Sequence, residues 1–270
     1  MNKGMFDLTG EVAVVVGGNG SLGGAISRAL HRSGAAVAIV GRDGSKAQSM
    51  LDDAKSAKNP MKFYAANATS ENELKSVMEL IEKDLGSTTI LVNAAGGNQP
   101  AVTLTDGRTF DQIKVQDWVH NFDLNLIGGA FLPCQIFGAG MVQRKKGSII
   151  NIASVSAHLP LSRVVAYSSA KAAVLNLTQF LAREWAPHGV RVNSLTPGFF
   201  PADQNRKLLF NEDGTPTPRA ESILGHTPMK RFGDADELGG AAVFLASPQA
   251  SAFVTGIDLR VDGGFLSQTI

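Results

Sequence analysis

Short runs of aliphatic and β-branched residues alternate along the chain with longer stretches whose apolar positions recur every three or four residues. The short runs are Val12 to Val16, Ala36 to Val40, Ile90 to Val92, Ser148 to Ile152, Val190 to Leu195 and Ile257 to Val261. Their near-continuous apolar character predicts strands buried on both faces, and the alternation with helical period predicts βαβ units. The expected fold class is therefore α/β, a doubly wound parallel sheet with helices on both faces. Between strands, Ser70 to Leu85 carries Leu74, Val77, Met78, Leu80, Ile81 and Leu85 among Glu and Lys. That pattern predicts a one-sided surface helix, and Ser70 with Glu73 three residues on predicts a capping box at its start. "NEDGTPTP", Asn211 to Pro218, is rich in turn formers and reads as a mobile loop. With no internal repeat or low-complexity tract, 270 residues suit one large domain, 1–270.

Composition narrows the class of partner. Lys+Arg 25 against Asp+Glu 24 leaves a net charge of +1, so no global field draws nucleic acid or anionic membrane, and a small molecule is the expected ligand. The longest wholly apolar runs are about five residues, far short of the roughly 20 needed to span a bilayer. A cytoplasmic protein is expected. The single cysteine, Cys134, excludes an internal disulfide and is expected to be a buried core thiol without chemistry. No metal ligand set is assigned.

"VVVGGNGSLGGAIS" follows the first strand and opens a helix. Gly17, Gly18, Gly20 and Gly23 thus sit where a pyrophosphate can rest on free backbone N–H groups at a helix N-terminus, with Asn19, Ser21 and Leu22 in the same turn. A glycine-rich turn alone also suits a plain strand-to-helix connection; its place after a Val-rich first strand favours a dinucleotide. After the second strand, "VGRDG" presents Gly41 and Arg42, which favour the 2′-phosphate of NADP(H), while Asp43 keeps NAD(H) open through a ribose hydroxyl.

"YSSAK" places Tyr167 and Lys171 at i and i+4, on one helix face. An unperturbed phenol, with a pKa near 10, is a poor base at neutral pH; a nearby ammonium favours the phenolate. In isolation such a pair is an ordinary solvated helix face. Its company changes that. From the glycine turn through "NAAG" (Asn93 to Gly96), "NIAS" (Asn151 to Ser154), "YSSAK", "PG" (Pro197, Gly198) and "RFGDADEL" to "VDGG" (Val261 to Gly264), nearly the whole chain resembles the short-chain dehydrogenase/reductase family.

The resemblance implies a Rossmann fold with a seven-stranded parallel sheet, an NAD(P)-dependent oxidoreductase acting on CH–OH groups, and a catalytic tetrad of Asn125, Ser154, Tyr167 and Lys171. Tyr167 would exchange the proton of the substrate hydroxyl, Ser154 would donate to the carbonyl oxygen, and Lys171 would lower the phenol pKa and hold the nicotinamide ribose. Asn125, in the apolar segment "FDLNLIGGAFL", is either a water-relay partner of the lysine or a buried amide satisfied by backbone. Asn67, Ala68, Asn93, Ala94, Ala95, Pro197 and Gly198 would complete the cofactor cleft. The chain departs from the family pattern at Val16, Ser21, Asn67 and Ala94, and Ser21 raises the question of whether the turn tolerates a side chain there. The family also implies a homotetramer, and "AKAAVLNLTQFLAREW" carries Leu177, Phe180, Leu181 and Trp185 beside small residues, which suits two apolar faces.

The substrate must be read after Pro197, in a lid expected at about 198–227. "PGFFPADQNRKLL" mixes Phe199 with Gln204, Asn205 and Arg206; "GGNQP" adds Asn98 and Gln99, and "SAHLPLSR" adds His158 and Arg163. Amides and cations suit the hydroxyls and carboxylate of a small polar substrate better than a steroid or acyl chain. "AAGGNQP" with "PGFFPADQNRKLL" is similar to the D-mannonate oxidoreductase (fructuronate reductase-like) branch. Gluconate 5-dehydrogenase-like or 3-oxoacyl-reductase-like activity is the alternative within enzymes, and a catalytically silent dinucleotide sensor or scaffold the alternative outside them.

Overall fold

The computed structural model describes residues 4–202 and 205–269. Its centre is one seven-stranded sheet: β1 (Val12–Val16), β2 (Ala36–Gly41), β3 (Met61–Ala65), β4 (Ile90–Asn93), β5 (Gly147–Ile152), β6 (Val190–Pro197) and β7 (Asp258–Val261). The spatial order is β3-β2-β1-β4-β5-β6-β7, and every neighbouring pair is parallel. The fold is thus a doubly wound α/β fold of the Rossmann type. Six strands follow the apolar runs closely; β3, "MKFYA", is an edge strand with one buried residue, too amphipathic and too polar to stand out by pattern.

The helices are α1 (Ser21–Arg32), α2 (Gln48–Ala54), α3 (Glu71–Leu85), α4 (Val115–Phe122), α5 (Leu132–Arg144), α6 (Val165–Trp185), α7 (Arg206–Leu209), α8 (Pro218–His226) and α9 (Leu238–Ala246). Two apolar layers sandwich the sheet. One joins Val15, Ile39 and Ile150 to Ile26, Leu30 and Leu245 of α1 and α9; the other joins Val14, Val40 and Ile149 to Leu74, Phe137 and Ala182 of α3, α5 and α6. α3 buries Leu74, Val77 and Ile81, as its spacing predicts. Ser70 caps Glu73 N, but Glu73 Oε2 accepts from Asn67 N at 2.8 Å instead of reciprocating, so the capping box is half formed.

α4 and α5 are joined by a π-helical stretch, Asp123–Phe131. The continuous run 115–144 is long and apolar enough to cross a membrane by length and composition, but 61% of its most apolar window is buried inside the protein, as in a core helix. The segment expected as a mobile loop is a tied turn: Asn211 N donates to Thr215 O at 2.8 Å, and Asp213 caps Thr215.

Candidate active site

In an open parallel sheet, ligands bind beyond the carboxyl ends of the strands where the winding reverses. Here that crevice lies between β1 and β4. Gly17 follows β1 with φ +81°, and a Cβ there would lie 2.6 Å from Ala95 N across the crevice. A Cβ on Gly23 would lie 2.3 Å from Gly17 O. These close approaches, not chain flexibility, require glycine. Ser21 is different: it is the first residue of α1 and has no positive φ, so the departure from the family pattern costs no strain. Gly20 caps α1 without a side-chain bond, and the first N–H groups of the helix, at Ser21, Leu22 and Gly23, have no acceptor among the described residues, as at the start of any helix that is free to take an anion. The turn fits a dinucleotide pyrophosphate.

At the end of β2 the Asn19 side chain lies where a residue-41 side chain would be, 2.3 Å from an ideal Cβ on Gly41, and Asn19 Nδ2 donates to Asp43 O. The Asp43 carboxylate is taken by Ser45 N at 3.0 Å and Ser45 Oγ at 2.7 Å, which hold it below the usual carboxylate range. It caps its own turn. Arg42 is exposed and has no hydrogen bond or ion pair among the described residues. Asn67, also exposed, spends its Oδ1 on Thr69. Ala68 packs on the π-helical stretch, where a Cβ on Gly128 would be 3.0 Å from its carbonyl carbon. Asn93 is fully buried, and its Nδ2 donates to Asn151 Oδ1 at 2.8 Å, so it ties β4 to β5. Pro197 ends β6, and Gly198 packs against Asp262 Cα.

α6 brings the remaining groups to the same rim. Lys171 is buried, and its Nζ donates to Ile152 O at 2.7 Å, 5.8 Å from the Tyr167 ring centroid. With no carboxylate paired to it among the described residues, burial pulls the ammonium from 10.5 to about 8. Burial pushes the Tyr167 phenol up, and a hydrogen bond with Ser154 opposes the rise. Ser154 Oγ also accepts from Ser156 N and Oγ, at 3.2 and 3.0 Å. Asn125, in the π-helical stretch, accepts from Gly97 N at 2.8 Å and donates to Gly97 O and Asn121 O, both at 3.0 Å. A Cβ on Gly96 would meet Asn125 Oδ1 at 2.7 Å and Lys171 Nζ at 3.5 Å. The four residues of the expected tetrad thus share one locus. Asn125 is an amide bonded to backbone there, and it fixes the loop after β4 against the lysine.

The predicted substrate residues are more scattered. Asn98 donates to Thr103 Oγ1 and Asn121 donates to Gln99 Oε1. His158 is held by Asp258 of β7 at 2.9 Å, and Arg163 pairs with exposed Asp106. Asn205 bonds Ala202 N and Phe200 O, Arg206 lies over the Phe210 ring, and Phe199 packs edge-on against Phe265. Gln204 lies outside the described residues. A cavity of about 400 Å³ runs past Phe199, Phe200, Thr227, Met229 and Arg231, beyond the tetrad rather than over it. Ser156, Gly96 and Asn121 were not legible as site residues, because their roles arise from backbone approach and from a partner 22 residues away. Cys134 is buried as expected, and burial raises its thiol to about 12.

A dinucleotide crevice at a topological switch point, with a buried lysine, tyrosine and serine at its rim, defines a nicotinamide-dependent oxidoreductase. The family model described as enoyl-(acyl carrier protein) reductase matches residues 16–266. The chain is 39% identical to an uncharacterized oxidoreductase, UxuB, of Bacillus subtilis, over 97% of this chain and 96% of that one. It is similar to a Haemophilus influenzae structure with bound NAD, provisionally named a D-mannonate oxidoreductase, at TM-score 0.91 and 37% identity over 97% of both chains. A gluconate 5-dehydrogenase from Burkholderia cenocepacia, in complex with NADP and tartrate, follows at TM-score 0.86 and 31% identity over 98% of both. The chain belongs to the short-chain dehydrogenase/reductase family.

Proposed function

We propose that the protein interconverts a keto and a hydroxy sugar acid of the D-fructuronate/D-mannonate type, with NADP(H) favoured and NAD(H) accepted. The observation that carries the chemistry is the buried Lys171 beside Tyr167, with Ser154 in hydrogen-bond reach of the phenol. When bound, the nicotinamide supplies or takes the hydride at the carbonyl carbon. In the reducing direction Tyr167 gives its proton to the oxygen that gains charge, and Ser154 donates to the same oxygen. Lys171 favours the phenolate left behind, and Asn125 holds the loop over it as a positioning residue. Arg42, uncommitted at the end of β2, favours a 2′-phosphate, whereas Asp43 is spent on Ser45.

The sugar-acid assignment draws on the amides of Asn98 and Gln99 on the loop after β4 and on the names carried by similar proteins. Gluconate 5-dehydrogenase activity is the second reading, favoured by the likeness to the enzyme holding NADP and tartrate. Residues 198–227 would form a lid over the substrate: Leu209, Ala220 and Ile223 give that segment a small core of its own. The enzyme would work in the cytoplasm as a homotetramer, with Phe180 of α6 and Val115 and Val119 of α4 exposed for packing. Sedimentation at micromolar concentration as a single 28.4 kDa species would refute that assembly.

Absorbance at 340 nm, with NADPH and NADH in parallel and a panel headed by D-fructuronate and 5-keto-gluconate, tests the function. Oxidation of NADPH on fructuronate supports it. A flat trace on every sugar acid, with turnover of acyl or aromatic ketones, sinks it.

A further inference from the structure

Asn121 carries no motif, yet it is fully buried on α4, one turn before Asn125, whose Nδ2 donates to its carbonyl. Its own Nδ2 donates to Gln99 Oε1 at 3.3 Å. Its Oδ1 is one of three buried side-chain atoms, among the described residues, without a hydrogen-bond partner. The other two, Thr88 Oγ1 and Asn93 Oδ1, lie before β4 and in the seam between β4 and β5. Of the three, Asn121 alone bonds the loop that closes over Lys171: Gln99 is three residues on from Gly96, where a Cβ would meet Asn125 Oδ1 and Lys171 Nζ.

Half-buried Gln99 makes no second side-chain hydrogen bond among the described residues, so its Nε2 is uncommitted as well. Two amides bonded to each other therefore leave one acceptor and one donor unused between them. Exchanging O and N in both amides leaves the same set, with Asn121 as donor and Gln99 as acceptor, so the conclusion is independent of amide orientation. A buried amide oxygen left unpaired is costly, and an aliphatic side chain would fill this helix position without that cost. A hydroxyl, on a substrate or on the water it displaces, satisfies both atoms, because it donates and accepts at once.

We infer that Asn121 and Gln99 form a hydroxyl-recognition subsite: a substrate hydroxyl donates to Asn121 Oδ1 and accepts from Gln99 Nε2, and the pair sets the preference for polyhydroxylated ketones. The inference deepens the sugar-acid reading and rests on it for the presence of substrate hydroxyls beside the reacting carbonyl, not for the carboxylate. A pocket built to bond a hydroxyl rejects the analogue that lacks it.

The test compares wild type, Asn121→Leu and Gln99→Leu on three ketones: 5-keto-gluconate, its hydroxyl-free counterpart 5-oxohexanoate, and fructose, which has hydroxyls and no carboxylate. Steady-state kinetics, NADPH affinity and thermal melting are measured for each protein. The expected result is a loss of roughly 10- to 100-fold in kcat/KM on the hydroxylated ketones, carried by KM, with 5-oxohexanoate turnover and NADPH affinity unchanged. Gln99→Leu sits on a loop and keeps the test decisive if Asn121→Leu does not fold. Equal losses on hydroxylated and hydroxyl-free ketones, or no change in their ratio, overturn the inference. A wild type that reduces fructose but no keto acid contradicts the sugar-acid reading while the variants still test the subsite; a wild type that reduces only 5-oxohexanoate overturns both.

Discussion

Replacing Lys171 with methionine should make the protein more stable and inactive at once. The ammonium is buried against one acceptor, Ile152 O, with no carboxylate partner among the described residues. Its fall from 10.5 to about 8 corresponds to about 3 kcal/mol of penalty for holding the charged form in the fold. Methionine fills a similar volume without the charge and forfeits the bond to Ile152 O, about 1 kcal/mol. The net gain at pH 7 is about 2 kcal/mol, read as a higher urea midpoint for the variant at unchanged slope. The folded-state pKa is lowered, so the penalty is complete below pH 8 and fades as pH rises from 8 towards 10.5, where the native lysine has lost its proton and the unfolded one has not. The advantage of Lys171→Met over wild type should therefore shrink across that window and vanish near its top. A variant less stable than wild type at pH 7, or a difference that stays constant from pH 7 to 10, refutes the reasoning. Stability given up at a catalytic position for the sake of chemistry is a common trade.

Two further substitutions probe the cofactor crevice. Gly23→Ala places a Cβ against Gly17 O, a backbone atom that cannot swing aside; calorimetry should show dinucleotide binding weakened by at least about tenfold, and urea unfolding a loss of about 1–3 kcal/mol. Arg42→Leu should weaken NADPH by roughly 10- to 100-fold and leave NADH within about threefold, and equal effects on both would remove Arg42 from 2′-phosphate recognition.

The layered α/β fold was legible because five strands are buried along nearly their whole length on both faces, a signal that survives without any tertiary knowledge. β3 was not, since an edge strand with exposed Lys62 and half-buried Phe63 carries little period. The facing of Tyr167 and Lys171 and the tight glycine turn were legible because each is tied to a short spacing, i and i+4 for the pair and one turn for Gly17 to Gly23; Asn125 and Ser154, distant in sequence, came only with the family resemblance. Substrate contacts depend instead on where long side chains turn. His158 and Arg163 flank the tetrad in sequence, yet they bond Asp258 and Asp106, residues far along the chain. Asn205 closes its own turn. Asn121 was invisible for the opposite reason: only the fold sets it against Gln99.

The central claim is that Tyr167, held between Ser154 and Lys171, transfers the proton that accompanies hydride transfer. Its most direct test is single-turnover reduction by Tyr167→Phe loaded with NADPH, followed at 340 nm beside an independent measurement of NADPH affinity. The account predicts hydride transfer slowed by at least about 10³-fold with cofactor affinity intact. Transfer at the wild-type rate would contradict it and assign the acid to another group.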